Sequence, residues 1–135
     1  MKIELAGCVI TDDYNRILLL HRNNGTDSQW ELPGGKVEDE EAPEHTATRE
    51  IYEELGVEVK LTKSLGKGEF ETNTKEYEYN WFLAVIEQGQ PTIMETETFD
   101  ELDYFDVEDI MSLSLSANMV VLLDRILQGL VVLDT

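Results

Sequence analysis

Residues 35 to 57 read Gly35-Lys-Val-Glu-Asp-Glu-Glu41-Ala-Pro43-Glu-His-Thr-Ala-Thr-Arg49-Glu50-Ile51-Tyr-Glu53-Glu54-Leu-Gly56-Val57. Pro43 suits the first turn of a helix, because its fixed φ fits there and its missing N–H would be unpaired anyway. Gly56 suits a left-handed residue just past the helix end. At about 100° per residue, Ala47, Ile51 and Leu55 fall on one narrow apolar stripe. Glu50, Glu53 and Glu54 occupy an adjoining arc roughly 100° wide. Exposed carboxylates so placed repel one another by a few tenths of a kcal/mol per pair, about what a favourable pair gains. They also crowd the C-terminal end, where the helix dipole disfavours negative charge. A helix made only for solubility would carry lysines here. A set of hard-oxygen ligands for Mg²⁺ or Mn²⁺ accounts for the placement.

The same stretch resembles the Nudix box, G-x5-E-x7-R-E-U-x-E-E-x-G-U, with U a bulky aliphatic residue. Gly35, Glu41, Arg49, Glu50, Ile51, Glu53, Glu54, Gly56 and Val57 fill every constrained position. Leu32-Pro33-Gly34-Gly35-Lys36 is similar to that family's usual entry to the box. The resemblance implies an α/β fold, an α/β/α sandwich with a mixed β-sheet between helices. It also implies hydrolysis of a nucleoside diphosphate linked to another group.

Composition narrows the partners. The 135 residues fit one domain spanning 1–135, with 41% hydrophobic residues for a packed core. With 29 acidic residues against ten Lys and Arg, the formal net charge is −19. Such a polyanion would be repelled by DNA, RNA and anionic lipid, so no nucleic acid and no membrane are expected as partners. A phosphate-bearing substrate would then need bound cations to invert the local field. One cysteine, Cys8, lies in the apolar run from Ile3 to Ile10, which fits a reducing compartment and a buried, inert thiol. Met1-Lys2 leads into a run containing Glu4, so no secretory leader is expected and the location expected is cytoplasmic.

Along the chain, residues 3–10 and 16–21 read as a hairpin of core strands around Asp12-Asp13-Tyr14-Asn15. His21 and Arg22 close the second strand, and Asn23 to Ser28 form a polar loop. Trp30-Glu31-Leu32 is a short strand that Pro33-Gly34-Gly35 turns into the box. The paired glycines allow a close approach to phosphate oxygens, and Lys36 follows as a cation for a phosphate. Val57 to Leu65 alternates like a half-buried strand, which Gly66 and Gly68 are expected to break. Glu69–Thr72 and Glu76–Ile86 read as strands joined by Asn73-Thr74-Lys75. The period-two set Tyr77, Tyr79, Trp81, Leu83 and Val85 has a core face, whose aromatics pack or stack on a base. Ser116 is a plausible N-cap for a last helix with Met119, Val120, Leu123, Ile126, Leu127 and Leu130 on one face.

The resemblance assigns roles to particular residues. Glu50, Glu53 and Glu54 would bridge Mg²⁺ or Mn²⁺ to phosphate oxygens, with Arg49 fixing a carboxylate rotamer. The general base would be Glu53, or Glu97 or Glu101 from a later loop, which the sequence does not separate. A basic residue at the Arg22 position contacts phosphates in MutT-like members, and Gly34, Gly35 and Lys36 would lie along the phosphates. Ser116-Ala117-Asn118 resembles the Pro-Ala-Asn stretch in which asparagine reads a purine edge, with serine here in place of proline. These features lean towards a small-molecule nucleotide substrate, a nucleoside triphosphate of the MutT type, oxidised purines included, cleaved to monophosphate and pyrophosphate. ADP-ribose, nucleotide sugars, dinucleoside polyphosphates and a non-catalytic regulatory role stay as alternatives. The assembly expected is a monomer or homodimer.

Overall fold

Two sheets form where the sequence suggested one. The computed structural model describes residues 2–25 and 28–133. In chain order the elements are β1 (Lys2–Ile10), β2 (Ile17–Asn23), β3 (Ser28–Glu31), β4 (Gly34–Lys36), α1 (Pro43–Leu55), β5 (Glu58–Thr72), β6 (Lys75–Gln88), β7 (Phe99–Phe105), α2 (Val107–Ile110) and α3 (Ala117–Leu127). One sheet has the order β4-β1-β6-β5 and the other β3-β2-β7. β1 runs parallel to β6 and antiparallel to β4, so the first sheet is mixed. The second is antiparallel throughout.

This overturns the expected hairpin of residues 3–10 and 16–21. β1 and β2 meet only through a bridge at Thr11 and Ile17, then diverge into different sheets. Both strands are apolar on two faces, which is the pattern of a strand buried from both sides, and hairpin pairing is not required to explain it. Alternate residues serve different layers. Ala6, Cys8, Ile10, Leu18, Leu20, Phe82 and Ala84 pack with Ala47, Ile51 and Leu55 of α1. Val9, Ile17, Leu19, Tyr79, Trp81 and Leu83 pack with Met119, Leu122 and Leu123 of α3. The sheets therefore lie between α1 and α3, as an α/β/α sandwich requires.

β5 is longer than expected and runs straight through both glycines. Gly66 takes a φ of +92° at a register shift opposite Trp81. At Gly68 a Cβ would meet the Trp81 ring at 2.5 Å, so the glycine is kept for close packing and not for a break. Asn73 and Thr74, both with positive φ, make the tight turn into β6. The last helix also differs from its expected face. Met119, Leu122 and Leu123 are buried, whereas Val120, Leu127 and Leu130 are exposed, Leu130 by 71%. Cys8 is buried, and burial pushes its thiol pKa up to about 12, as an inert thiol demands. Among the described residues no helix is long and apolar enough to cross a membrane. Thr26 and Asp27 of the expected polar loop lie outside the described residues.

Candidate active site

α1 forms as its sequence dictates. Pro43 sits at its start and Gly56 caps its end at φ +70°, donating its N–H to the Tyr52 carbonyl at 2.9 Å. Ala47, Ile51 and Leu55 are fully buried, each contributing on the order of 1–3 kcal/mol of apolar burial. That anchorage fixes the rotation of the helix, and so presents Glu50 and Glu54 towards Gly34 and Gly35 of β4, with Glu53 held beside them by Arg49.

The three carboxylates are not equivalent. Glu54 is only 5% exposed, and its Oε1 accepts the Gly34 N–H at 2.8 Å. Burial pushes its pKa well up; the Gly34 hydrogen bond opposes this, and the charges of Glu50, Glu95 and Glu31 add to it. Glu50 lies against Gly35, where a Cβ would fall 2.3 Å from its carboxyl carbon. Its pKa is also raised, first by burial. Glu53 is half exposed and is held by Arg49. One buried and one part-buried carboxylate, both with raised pKa, and a third beside them form a site that a divalent cation would relieve.

Arg49 ties the set together. Its guanidinium forks onto Glu41, Nε to Oε2 at 2.8 Å and Nη2 to Oε1 at 2.9 Å. Nη1 reaches Glu50 at 3.1 Å and Glu53 at 3.2 Å, while Nη2 donates to the Lys36 carbonyl at 3.2 Å. Glu41 is thereby held well below the usual carboxylate range, first by Arg49 and then by the Thr46 hydroxyl at 2.7 Å. The first glutamate of the box is thus the arginine's anchor, which leaves Nη1 to orient two other carboxylates.

Other expected residues are placed less simply. Arg22 is in a bidentate pair with Glu31, at 2.9 and 2.8 Å, and lies over the Phe99 ring. Gln29 donates to the same Glu31. The Lys36 side chain is exposed at the end of β4. Asn118 donates from Nδ2 to Ser116 Oγ at 3.3 Å, and its Oδ1 is buried without a hydrogen-bond partner. Glu101 lies opposite His21 on the β2–β7 ladder, and Glu97 is exposed in the preceding turn. The later-loop charge that acts on Glu50 and Glu54 is Glu95, which the sequence reading missed. Its loop is pinned where Met94 N donates to the Glu54 carbonyl at 3.0 Å, the end of the box helix. Glu31 was missed as well, although hairpin pairing of β2 with β3 places it diagonally across from Arg22.

The donors are hard carboxylate oxygens, which suit Mg²⁺ or Mn²⁺, and glycine at 35 leaves the space that Glu50 fills. Among the described residues no three such side chains enclose an ion by themselves.

The glycines of β4, the acidic face of α1 and the Arg49 clamp thus meet on an α/β/α frame. A family model for the NUDIX domain matches residues 1–126, and the chain belongs to the Nudix family. The MutT NUDIX hydrolase from Burkholderia pseudomallei superposes with a TM-score of 0.83 at 28% identity, covering 93% of this chain and 98% of that one. A human diphosphoinositol polyphosphate phosphohydrolase, NUDT4B, is 34% identical over 102 residues, 76% of this chain and 56% of that protein. An 8-oxo-dGTP diphosphatase of Proteus vulgaris is 40% identical over 60 residues, 43% of this chain and 54% of that protein. The chain thus spans a little over half the length of these two curated relatives.

Proposed function

We propose that this domain is a divalent-metal-dependent pyrophosphohydrolase that cleaves a nucleoside triphosphate to a monophosphate and pyrophosphate. The observation that carries the reading is the intact constellation of Glu50, Glu53 and Glu54 with Arg49 clamped on Glu41. Glu50 and Glu54 are the residues that hold Mg²⁺ or Mn²⁺. When bound, such ions acidify the attacking water and neutralise charge on phosphate oxygens. Arg49 Nη1 fixes Glu50 and Glu53 in place. Glu53, half exposed and so oriented, is assigned as the general base that takes the water proton at its carboxylate. The later-loop carboxylate whose charge bears on Glu50 and Glu54 is Glu95, in place of Glu97 or Glu101.

Two observations support a mononucleotide. The buried, unpaired Oδ1 of Asn118 is an acceptor held in orientation by Ser116, suited to an N–H on a purine edge. Arg22 and Arg49 already face carboxylates, and the chain carries a net charge of −19. A diphosphoinositol polyphosphate, the substrate class in the name of one set of relatives, would bring many more negative charges to this surface. A short phosphate chain neutralised by two or three ions fits it better.

The test is a screen of phosphate and pyrophosphate release in Mg²⁺ or Mn²⁺. It should cover canonical and oxidised nucleoside triphosphates, ADP-ribose, nucleotide sugars, dinucleoside polyphosphates and diphosphoinositol polyphosphates. The expected result is pyrophosphate from a triphosphate, lost by orders of magnitude in Glu54→Gln. Undiminished turnover in that variant would remove the assignment.

A further inference from the structure

Tyr79 lies at the centre of β6, stacked 5.6 Å from Trp81, and is only 3% exposed. Phenylalanine would serve that packing equally well, since a buried hydroxyl adds a desolvation cost. The tyrosine oxygen occupies a particular slot. A Cβ at Gly7 would fall 2.1 Å from it, and a Cβ at Gly34 would fall 2.4 Å from it. The Pro33 carbonyl converges on the same space, 2.5 Å from where the Gly7 Cβ would stand. Two glycines on neighbouring strands, paired with each other in the β1–β4 register, therefore make room for one hydroxyl. Neither glycine has positive φ, so backbone conformation does not require them. Close approach does.

Gly34 is also the residue whose N–H meets Glu54 Oε1 at 2.8 Å. Behind the turn, the Pro33 carbonyl accepts the Cys8 N–H at 3.1 Å, so the peptide before Gly34 is fixed on one side by β1. The Tyr79 oxygen packs beside the Gly34 α-carbon, in the space a Cβ would take. We propose that Tyr79 is a positioning residue: its hydroxyl wedges the Pro33-Gly34 turn in the orientation that points the Gly34 amide at Glu54. The hydroxyl is a neutral wedge, because burial, then the nearby Glu54 charge, hold it protonated. The functional part of the inference rests on Glu54 as a metal-holding residue, but the geometric part does not. The chain uses three residues, Gly7, Gly34 and Tyr79, to hold one amide.

The test is Tyr79→Phe, which keeps the ring and removes the wedge. By circular dichroism and cooperative melting the variant should fold as the parent does. In ¹H–¹⁵N spectra without metal, the Gly34 amide should shift and exchange faster with solvent. At saturating nucleotide, kcat should fall roughly tenfold, short of the ~10²-fold of an ångström-scale misplacement, and the half-saturating Mg²⁺ concentration should rise by a similar factor. KM for the nucleotide at saturating Mg²⁺ should change by less than about twofold, because the proposed base contact, Asn118, lies on α3. A Gly34 amide and a Mg²⁺ titration that both match the parent would overturn the inference. If the Gly34 amide responds while Glu54→Gln keeps full turnover, the wedge stands and the metal reading of Glu54 is what fails.

Discussion

Gly35→Ala separates the chemistry of the site from the stability of the fold. Gly35 does not use the left-handed region, so alanine can adopt its backbone. The new Cβ, however, would stand 2.3 Å from the Glu50 carboxyl carbon and 2.5 and 2.6 Å from its oxygens. Ordinary contact begins near 3.4 Å, so the carboxyl must retreat by the difference, 3.4 less 2.3 or about 1.1 Å. Glu50 is the far end of a flexible side chain, and the retreat is cheap for folding. A displacement of this size at a reacting centre costs on the order of 10²-fold in rate, or about 2.7 kcal/mol of barrier. The assay is steady-state pyrophosphate release across a Mg²⁺ series, with thermal melting of the same sample. The expected result is a melting temperature close to the parent's and kcat down by about two decades. Parental kcat with parental Mg²⁺ dependence would refute the reasoning, since Glu50 would then tolerate leaving its position.

Arg49→Lys keeps the charge but loses the fork that reaches Glu41, Glu50 and Glu53 together. Its kcat should drop by roughly 10- to 100-fold with a smaller change in KM, measured in the same assay. Stability without metal should depend on pH in a definite sense. Burial raises Glu50 and Glu54 above their ordinary value, so the folded state holds more protons than the unfolded one above that value. Stability is therefore gained as pH falls from neutral towards about 5 and lost as it rises. Glu41 is lowered, so its contribution is present above the ordinary carboxylate value and is lost only in stronger acid. Metal-free melting curves should show a maximum in mild acid, and saturating Mg²⁺ or Glu54→Gln should flatten the rise. An unchanged slope in Glu54→Gln would remove Glu54 from that account.

The helix and its apolar stripe were legible because one element fixes their spacing. Pro43, Gly56, Ala47, Ile51 and Leu55 all take the places that helical periodicity gives them. The sheet was less legible, because pairing is long-range. Nothing local in residues 3–21 says that β1 pairs with β6 some seventy residues later. A glycine in a strand reads as a break, yet Gly68 is there to admit the Trp81 ring, a partner thirteen positions away. The exposed Val120, Leu127 and Leu130 show the limit of a helical wheel, which gives a face but not the width of the partner surface. At the site, the box motif named the helix residues. Glu31, Glu95 and Tyr79 arrive from other elements, so sequence spacing carried no signal for their approach to Glu54.

The most direct measurement is a crystal structure with Mn²⁺ and a non-hydrolysable nucleoside triphosphate, with manganese located by its anomalous signal. The account predicts peaks within about 2 to 2.6 Å of carboxylate oxygens of Glu50 and Glu54, each also touching a phosphate oxygen. Manganese bound elsewhere on this acidic surface, with both side chains turned from the phosphates, would contradict it.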